Sequence, residues 1–269
     1  MRPLFERYPK VRDRVPFEPL VSLPSPVVEH RGFCVKRDDR IGGSMLRKLE
    51  FYRPEGNLLA WGSEDSPWLR ALARHRQARF LTFRRRRRDT LLFGLRMLAE
   101  LPRVLGGSVT LVPLGGSEPM TTLGFVNAAL ELADQVARGE CPKPDAVFVP
   151  LGTGGITAGL ALGFALAGLD VALHTVRVAS RFSANFRRVY GLASQAAWLL
   201  DERPRVSRLV LEKKVFGGTG AAEEFFRPLK IDPAYAAQAA ACLLARRSVY
   251  RTPLLWLTCE ANNIDPSNR

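Results

Sequence analysis

Lysine is scarce in this chain. Of its 40 basic residues only seven are lysine (Lys10, Lys36, Lys48, Lys143, Lys213, Lys214 and Lys230), and the remaining 33 are arginine. The net charge of +14 therefore rests mostly on guanidinium groups, which keep their proton at any physiological pH and do not act as amine nucleophiles. A basic balance of this kind follows from genome composition as readily as from anion binding, so by itself it says little about partners. Histidine is scarcer still. His30, His75 and His174 show no HxxxH spacing, which argues against a histidine-rich metal centre. The four cysteines (Cys34, Cys141, Cys242 and Cys259) form no CxxC pair. They read as reduced thiols of a cytoplasmic protein, not as a disulfide frame or zinc site. Residues 1–10 are charged and lack an apolar core, so no signal peptide is expected.

Long uncharged runs are also few. The clearest, Ala146 to Leu169, matches a membrane span in length, but Pro150, Gly152, Gly154 and Gly155 interrupt it. A strand over 146–151, a glycine turn, a helix to 169 and a second strand over 170–176 explain it better, as a buried crossover in a soluble protein. With 46% hydrophobic and 25% charged residues, the chain reads as globular.

The remaining pattern alternates. Strands are expected at 33–36, 58–61, 78–83, 108–112, 209–212 and 254–258. Helices are expected at 44–51, 67–75, 90–101, 124–137, 221–227 and 233–245, and residues 1–30 read as proline-rich and irregular. This predicts an α/β fold with mostly parallel sheets.

Two local features carry chemistry. In Phe148-Val-Pro-Leu-Gly152-Thr153-Gly154-Gly155-Ile-Thr-Ala-Gly159, a strand runs into glycines and then a helix. That geometry aims backbone N–H groups and a helix N-terminus at one point, which suits a phosphate; a tight turn without a ligand is the plainer alternative. Arg84 to Arg88 is the second: five like charges that must be solvated or paired with anions. A solvated loop is the plain reading and a nucleic-acid or acidic-partner contact the sharper one. Interleaved aromatics and a known nucleic-acid motif are both absent.

Several segments, in order, resemble the D-cysteine desulfhydrase and 1-aminocyclopropane-1-carboxylate deaminase family of fold-type-II pyridoxal phosphate (PLP) enzymes. They are Leu20-Val-Ser-Leu-Pro-Ser-Pro26, Val35-Lys-Arg-Asp-Asp39, Gly42-Gly-Ser-Met-Leu-Arg-Lys-Leu-Glu-Phe51, Gly115-Gly-Ser117 with Leu123-Gly-Phe-Val126, the Gly152 loop, and Ile231-Asp-Pro-Ala-Tyr235. The resemblance implies two domains around a cofactor cleft, a smaller one over 52–122 inserted into a larger one over 1–51 and 123–269. It also implies PLP as cofactor, small amino acids as substrates and a homodimer. Cofactor contacts would fall on Gly152, Thr153, Gly154, Gly155 and Thr258, with no metal.

The departures fall on the chemistry. Where the family's GGNKxRKLEF places the lysine that bonds to the cofactor, this chain has Met45, and Lys48 matches the second lysine of that motif. Where the family's GGxQSNH supplies a reactive serine and an asparagine, Ser66 is retained but Pro67 and Trp68 follow it. Ile156 replaces a threonine, Thr219 stands in for a tyrosine, and Cys259-Glu260 replaces terminal glycines. The leading expectation is a shortened homologue that has lost PLP catalysis, holding PLP or another phosphate without a covalent bond or serving as a partner subunit. Two alternatives stand beside it. One is an active lyase or deaminase using Lys48 with Ser66; the other is a basic anion- or nucleic-acid-binding protein acting through Arg84–Arg88.

Overall fold

Short aliphatic and β-branched runs bounded by glycine or proline form the strands, and alanine- and leucine-rich runs between them form the helices. The computed structural model describes residues 2–83, 87–212 and 218–258, without the side chains of residues 87–92. The strands are β1 (Val27–His30), β2 (Phe33–Arg37), β3 (Leu58–Ser63), β4 (Arg79–Phe83), β5 (Thr110–Leu111), β6 (Ala146–Leu151), β7 (Ala172–Arg177), β8 (Leu209–Glu212) and β9 (Pro253–Leu257). The helices are α1 (Pro3–Arg7), α2 (Ser44–Leu49), α3 (Pro67–His75), α4 (Arg87–Leu105), α5 (Pro119–Ala137), α6 (Gly155–Leu166), α7 (Phe186–Leu199), α8 (Gly220–Phe225) and α9 (Ala236–Ala245).

Among the described residues the strands form two sheets. The larger has the order β1-β2-β9-β6-β7-β8 and is parallel apart from the β1–β2 pair. The smaller, β4-β3-β5, is parallel throughout. Parallel sheets need cover on both faces, and β6 shows it residue by residue. Ala146 and Phe148 pack into the cluster that includes α8 and α9, whereas Val147 and Val149 face α5 and α6. A strand buried on both sides has no place for a charge, which accounts for the uncharged run. No helix of the described residues is long and apolar enough to cross a membrane.

Helix α6 lies close against α5 because its contact positions are glycine. A Cβ at Gly159 would sit 2.4 Å from the Phe125 Cβ, and one at Gly163 would sit 2.5 Å from the Ala129 Cβ. Helix α2 is fixed from beneath by a buried ionic cluster. Arg47 donates to Asp38 at 2.8 Å and to Glu131 at 3.0 Å, and Lys36 pairs with Glu131 at 2.6 Å. All four side chains are buried. Burial, the largest single influence, would drive both carboxyls toward the neutral acid, but the Arg47 charge together with Lys36 and the hydrogen bonds they accept outweighs it and holds them below the ordinary carboxylate range.

The structure adds elements to the expected pattern. Residues 1–30 are not wholly irregular: α1 forms near the start, and β1 pairs antiparallel with β2. Helix α5 begins at Pro119, ahead of the expected Gly124, because Pro119 suits the first turn and Glu118 and Thr121 form a capping box. Helix α7 was not expected at all. Its aromatics, arginines and Gly191 blur the periodicity, yet Val189, Leu192, Ala193, Ala196 and Ala197 share one buried face. The Asn185 side chain caps it by accepting from the Arg188 N–H at 3.0 Å.

Candidate ligand site

Strand β6 ends at Leu151 and the chain turns over Gly152, Thr153 and Gly154 into α6. Gly154 takes a φ of 96°, a conformation glycine adopts without strain, and this turn points the first N–H groups of α6 at one place. The loop interlocks with a second one, Leu114–Ser117. The Gly155 N–H donates to Ser117 Oγ at 3.3 Å, and Ser117 Oγ and Thr153 Oγ1 share a hydrogen bond of 2.6 Å. Lys48, reaching from α2, donates to the Gly115 carbonyl at 2.7 Å and to Ser117 Oγ at 3.0 Å. From the other side, Arg188 of α7 donates through Nε to the Thr153 carbonyl at 2.8 Å.

A cavity of about 510 Å³ opens in front of this loop. Met45, Trp68, Phe83 and Ile156 contribute apolar wall, and Ser66, Tyr235 and Thr258 contribute polar groups. Thr157 also lines it, and its hydroxyl is buried without a hydrogen-bond partner. A buried hydroxyl left unpaired is costly, so this one marks a place where a ligand oxygen would be favourable.

The electrostatics centre on Lys48. Burial, reinforced by the Arg188 charge and opposed by Glu118, pushes its ammonium down to about 7. Burial correspondingly pushes the Glu118 carboxyl up, with Lys48 opposing.

The structure brings Gly152, Thr153, Gly154, Gly155, Lys48, Ser66 and Thr258 to the lining of this one cavity, and Met45 stands among them. Ser66 caps α3, its Oγ accepting from the Leu69 N–H at 3.4 Å. The Thr258 carbonyl accepts from the Ser44 N–H at 2.8 Å, tying the end of β9 to the start of α2. Trp68 packs over Gly116, where a Cβ would lie 2.5 Å from the indole ring. Sequence reasoning missed Ser117 as a site residue, Thr157 and Arg188. Ser117 carried a signal, since Gly115-Gly-Ser117 is part of the resemblance. Arg188 carried none, because its helix was not foreseen. The side chains of Arg84–Arg88 lie outside the described residues, as do Cys259-Glu260.

A second group of reactive side chains, His174, Glu212 and Cys242, has ligand-capable atoms within 4.8 Å of one another. The carboxylate and both imidazole nitrogens are already engaged. Arg246 pairs with Glu212 at 2.8 Å, Glu212 with His174 Nδ1 at 2.9 Å, and His174 Nε2 with the Tyr250 hydroxyl at 2.6 Å. An arginine charge in that place makes the group a buried polar network with its own cation.

No family model matches the chain. Among curated proteins it is similar to the nocardicin C-9' epimerase of Nocardia uniformis subsp. tsuyamanensis, 38% identical over 103 residues, 38% of this chain and 31% of that one. It is 27% identical over 161 residues to the mitochondrial bifunctional D-cysteine desulfhydrase/1-aminocyclopropane-1-carboxylate deaminase of Arabidopsis thaliana, covering 54% of this chain and 38% of that one. These matches thus span about a third of each relative's length. A Pyrococcus abyssi protein provisionally named for the same deaminase is 26% identical over 259 residues, 81% of this chain and 77% of that one. Among solved structures, an ACC deaminase homologue superposes with a TM-score of 0.71 at 21% identity, covering 95% of this chain and 94% of the other. The chain has the fold-type-II architecture and is similar in sequence to proteins named for aminocyclopropane-carboxylate deaminase and D-cysteine desulfhydrase. The fold-type-II architecture extends to a pyridoxal 5'-phosphate-dependent aspartate racemase, 12% identical, with a TM-score of 0.59 over 99% of this chain and 96% of that one.

Proposed function

We propose that the protein holds a phosphorylated ligand of the pyridoxal phosphate class without covalent attachment, and that it has lost the lyase or deaminase chemistry of its relatives. One observation carries this reading: the glycine turn and the start of α6, a geometry suited to phosphate, face a cavity lined by Met45, the residue that the resemblance sets at the position of the bonding lysine. The cradle fits a phosphate. It offers the N–H groups of the α6 start, the unpaired Thr157 hydroxyl and the Lys48 amine. Position 45 does not fit covalent attachment, since a thioether neither bonds to an aldehyde carbon nor carries a proton.

When bound through a lysine, PLP supplies an electron sink for amino-acid chemistry. With no amine at position 45, this chain has no anchor there for that chemistry. What its own residues do is bind and orient. The glycine loop and α6 hold the phosphate end, the Trp68 and Met45 walls exclude water from the body of the ligand, and Thr258 offers a polar contact elsewhere on the lining.

One observation favours a second reading, an active enzyme anchored on Lys48: an amine that titrates near 7 is a competent nucleophile at neutral pH. Its position argues the other way. Lys48 Nζ is held by Gly115 and Ser117 against the cradle, and a Cβ on Gly155 would lie only 3.1 Å from it. A ligand phosphate, and not the carbonyl end, would meet it there.

The test is incubation with PLP, borohydride reduction and peptide mass mapping, with a Met45→Lys variant alongside. The reading expects saturable PLP binding, no adduct on the native chain, and an adduct at position 45 in the variant. An adduct on Lys48 of the native protein would overturn it in favour of the active enzyme.

A further inference from the structure

Resting on the phosphate reading, we infer that the cradle is a clamp of two unlike cations, in which Arg188 supplies a permanent charge and Lys48 a charge acquired on binding, so that the phosphate enters together with a proton.

The geometry puts both groups on the same loop. Arg188 donates to the Thr153 carbonyl at 2.8 Å, and its side-chain stem lies 3.7 Å from where a Gly154 Cβ would be. Lys48 Nζ lies on the other side, 3.0 Å from the Ser117 hydroxyl that accepts from the Gly155 N–H. The start of α6 is thereby flanked by an arginine from α7 and a lysine from α2. The unpaired, buried Thr157 hydroxyl independently marks this place as a ligand site.

With the cradle empty, Lys48 faces an unfavourable field. The charges acting on it are Arg188 from α7, which repels a proton on the amine, and Glu118 at the start of α5, which favours one. The α6 N-terminus adds the positive end of its dipole. The uncharged groups around it are the Gly115 carbonyl, the hydroxyls of Ser117 and Thr153, and Thr258 and Tyr235 on the cavity lining. Burial with a single nearby carboxylate leaves the amine neutral in much of the population at and above neutral pH, in keeping with its depressed titration. A phosphate dianion in the cradle reverses that field and favours the ammonium, with the proton coming from solvent. Arg188 cannot switch in this way, because guanidinium stays charged.

The experiment is titration calorimetry with pyridoxine 5'-phosphate, which has no aldehyde and so cannot react with an amine. At about pH 8 its phosphate is already dianionic and takes up no proton, and the Lys48→Met variant separates uptake by the amine from any change at the ligand's ring. Heats measured in two buffers of different ionisation enthalpy give that uptake. The inference expects uptake approaching one proton per ligand at about pH 8, falling as pH drops through about 7 and turning to net release near pH ~6, where the free phosphate still carries protons that the bound dianion gives up. Lys48→Met should abolish the uptake. Arg188→Gln, at a half-buried position, should weaken binding about tenfold or more and move the midpoint of uptake to higher pH, because a repelling charge is gone. A bracing role for Arg188 alone would weaken binding without moving that midpoint, and would overturn its part in the clamp. Binding without proton uptake, or uptake that survives Lys48→Met, overturns the inference while leaving the phosphate reading standing. Absence of any saturable binding overturns both.

Discussion

Lys48 Nζ lies 3.0 Å from Ser117 Oγ, and that same hydroxyl accepts from the Gly155 N–H. Met45, one helical turn earlier on α2, lines the same cavity without any such bond. The helix therefore presents an amine bonded to the Leu114–Ser117 loop and, one turn away, a thioether facing the cavity. Under the proposed function this division separates binding from chemistry, and each of its parts can be tested alone.

Thr157 gives the sharpest separation of stability from binding. Its buried hydroxyl has no partner, so Thr157→Val removes a group that already pays a desolvation penalty. Unfolding free energy should stay level or rise by up to ~1–2 kcal/mol, while affinity for pyridoxine 5'-phosphate should fall about tenfold. Urea unfolding and a ligand titration on the same preparation check both. A variant that binds as tightly as the parent would remove Thr157 from the site.

Lys48→Met should stabilise the protein, and the gain should depend on pH. The folded amine titrates at about 7, whereas an unfolded lysine titrates near ~10.4. Below about 7 both states hold the proton, and the full penalty of a buried charge applies. Between those values only the unfolded chain keeps it, so wild-type stability recovers as pH rises, by at most ~1.4 kcal/mol per unit. The advantage of the variant should therefore be largest near pH ~6 and shrink toward pH ~10, offset throughout by the lost bonds to Gly115 and Ser117. Chemical denaturation of both proteins across that range measures it. A gain that does not change with pH would mean the folded amine does not titrate there.

The fold was largely legible because its signals are local. Glycine turns, alternating strand and helix runs and the uncharged 146–169 segment each report on neighbouring residues, and β8 and α3 form at the expected residues. The Gly152 loop was legible for the same reason. Arg188 and Thr157 were not. Arg188 reaches the loop from a helix whose aromatics and Gly191 hide its period, and its contact with Thr153 spans 35 residues of sequence. Thr157 is remarkable only for the partner it lacks, and a missing partner appears only once every neighbour is placed.

The same substitution should have opposite signs at two glycines. In α5, Gly124 faces the backbone of α2, where an added Cβ would lie 2.1 Å from the Arg47 carbonyl oxygen. A backbone atom cannot swing aside, so Gly124→Ala must part the two helices at a cost of at least ~2 kcal/mol. Because α2 carries Lys48, ligand affinity should fall with it. In α7, a Cβ at Gly191 meets nothing within 4 Å. There Gly191→Ala gains up to ~1 kcal/mol from helix propensity. Melting temperatures that move in the same direction for both would refute the packing argument.

Asp38 should be the carboxylate on which acid stability turns. Its two oxygens accept from Ser25 Oγ at 2.8 Å, Ser44 Oγ at 2.7 Å, Arg47 Nη2 at 2.8 Å and Trp256 Nε1 at 2.9 Å, with no access to solvent. Burial opposes its charge, but Arg47 holds the carboxyl below its ordinary value. A depressed folded value means that stability is present above the unfolded value of ~3.9 and is lost as pH falls through the folded one. Asp38→Asn removes the charge but keeps the shape, leaving Arg47 with Glu131 alone, which Lys36 already engages. The expected cost at neutral pH is ~3–5 kcal/mol, the range for breaking a buried pair by taking one partner away. As pH falls from the unfolded value of ~3.9 through the lower folded one, the cost should shrink, because wild-type Asp38 itself loses its charge over that span. Unfolding free energies of the two proteins at neutral and acid pH decide the matter. If the difference between them stays constant with pH, the Asp38–Arg47 pair is not the source of the acid sensitivity, and Glu131 becomes the group to test.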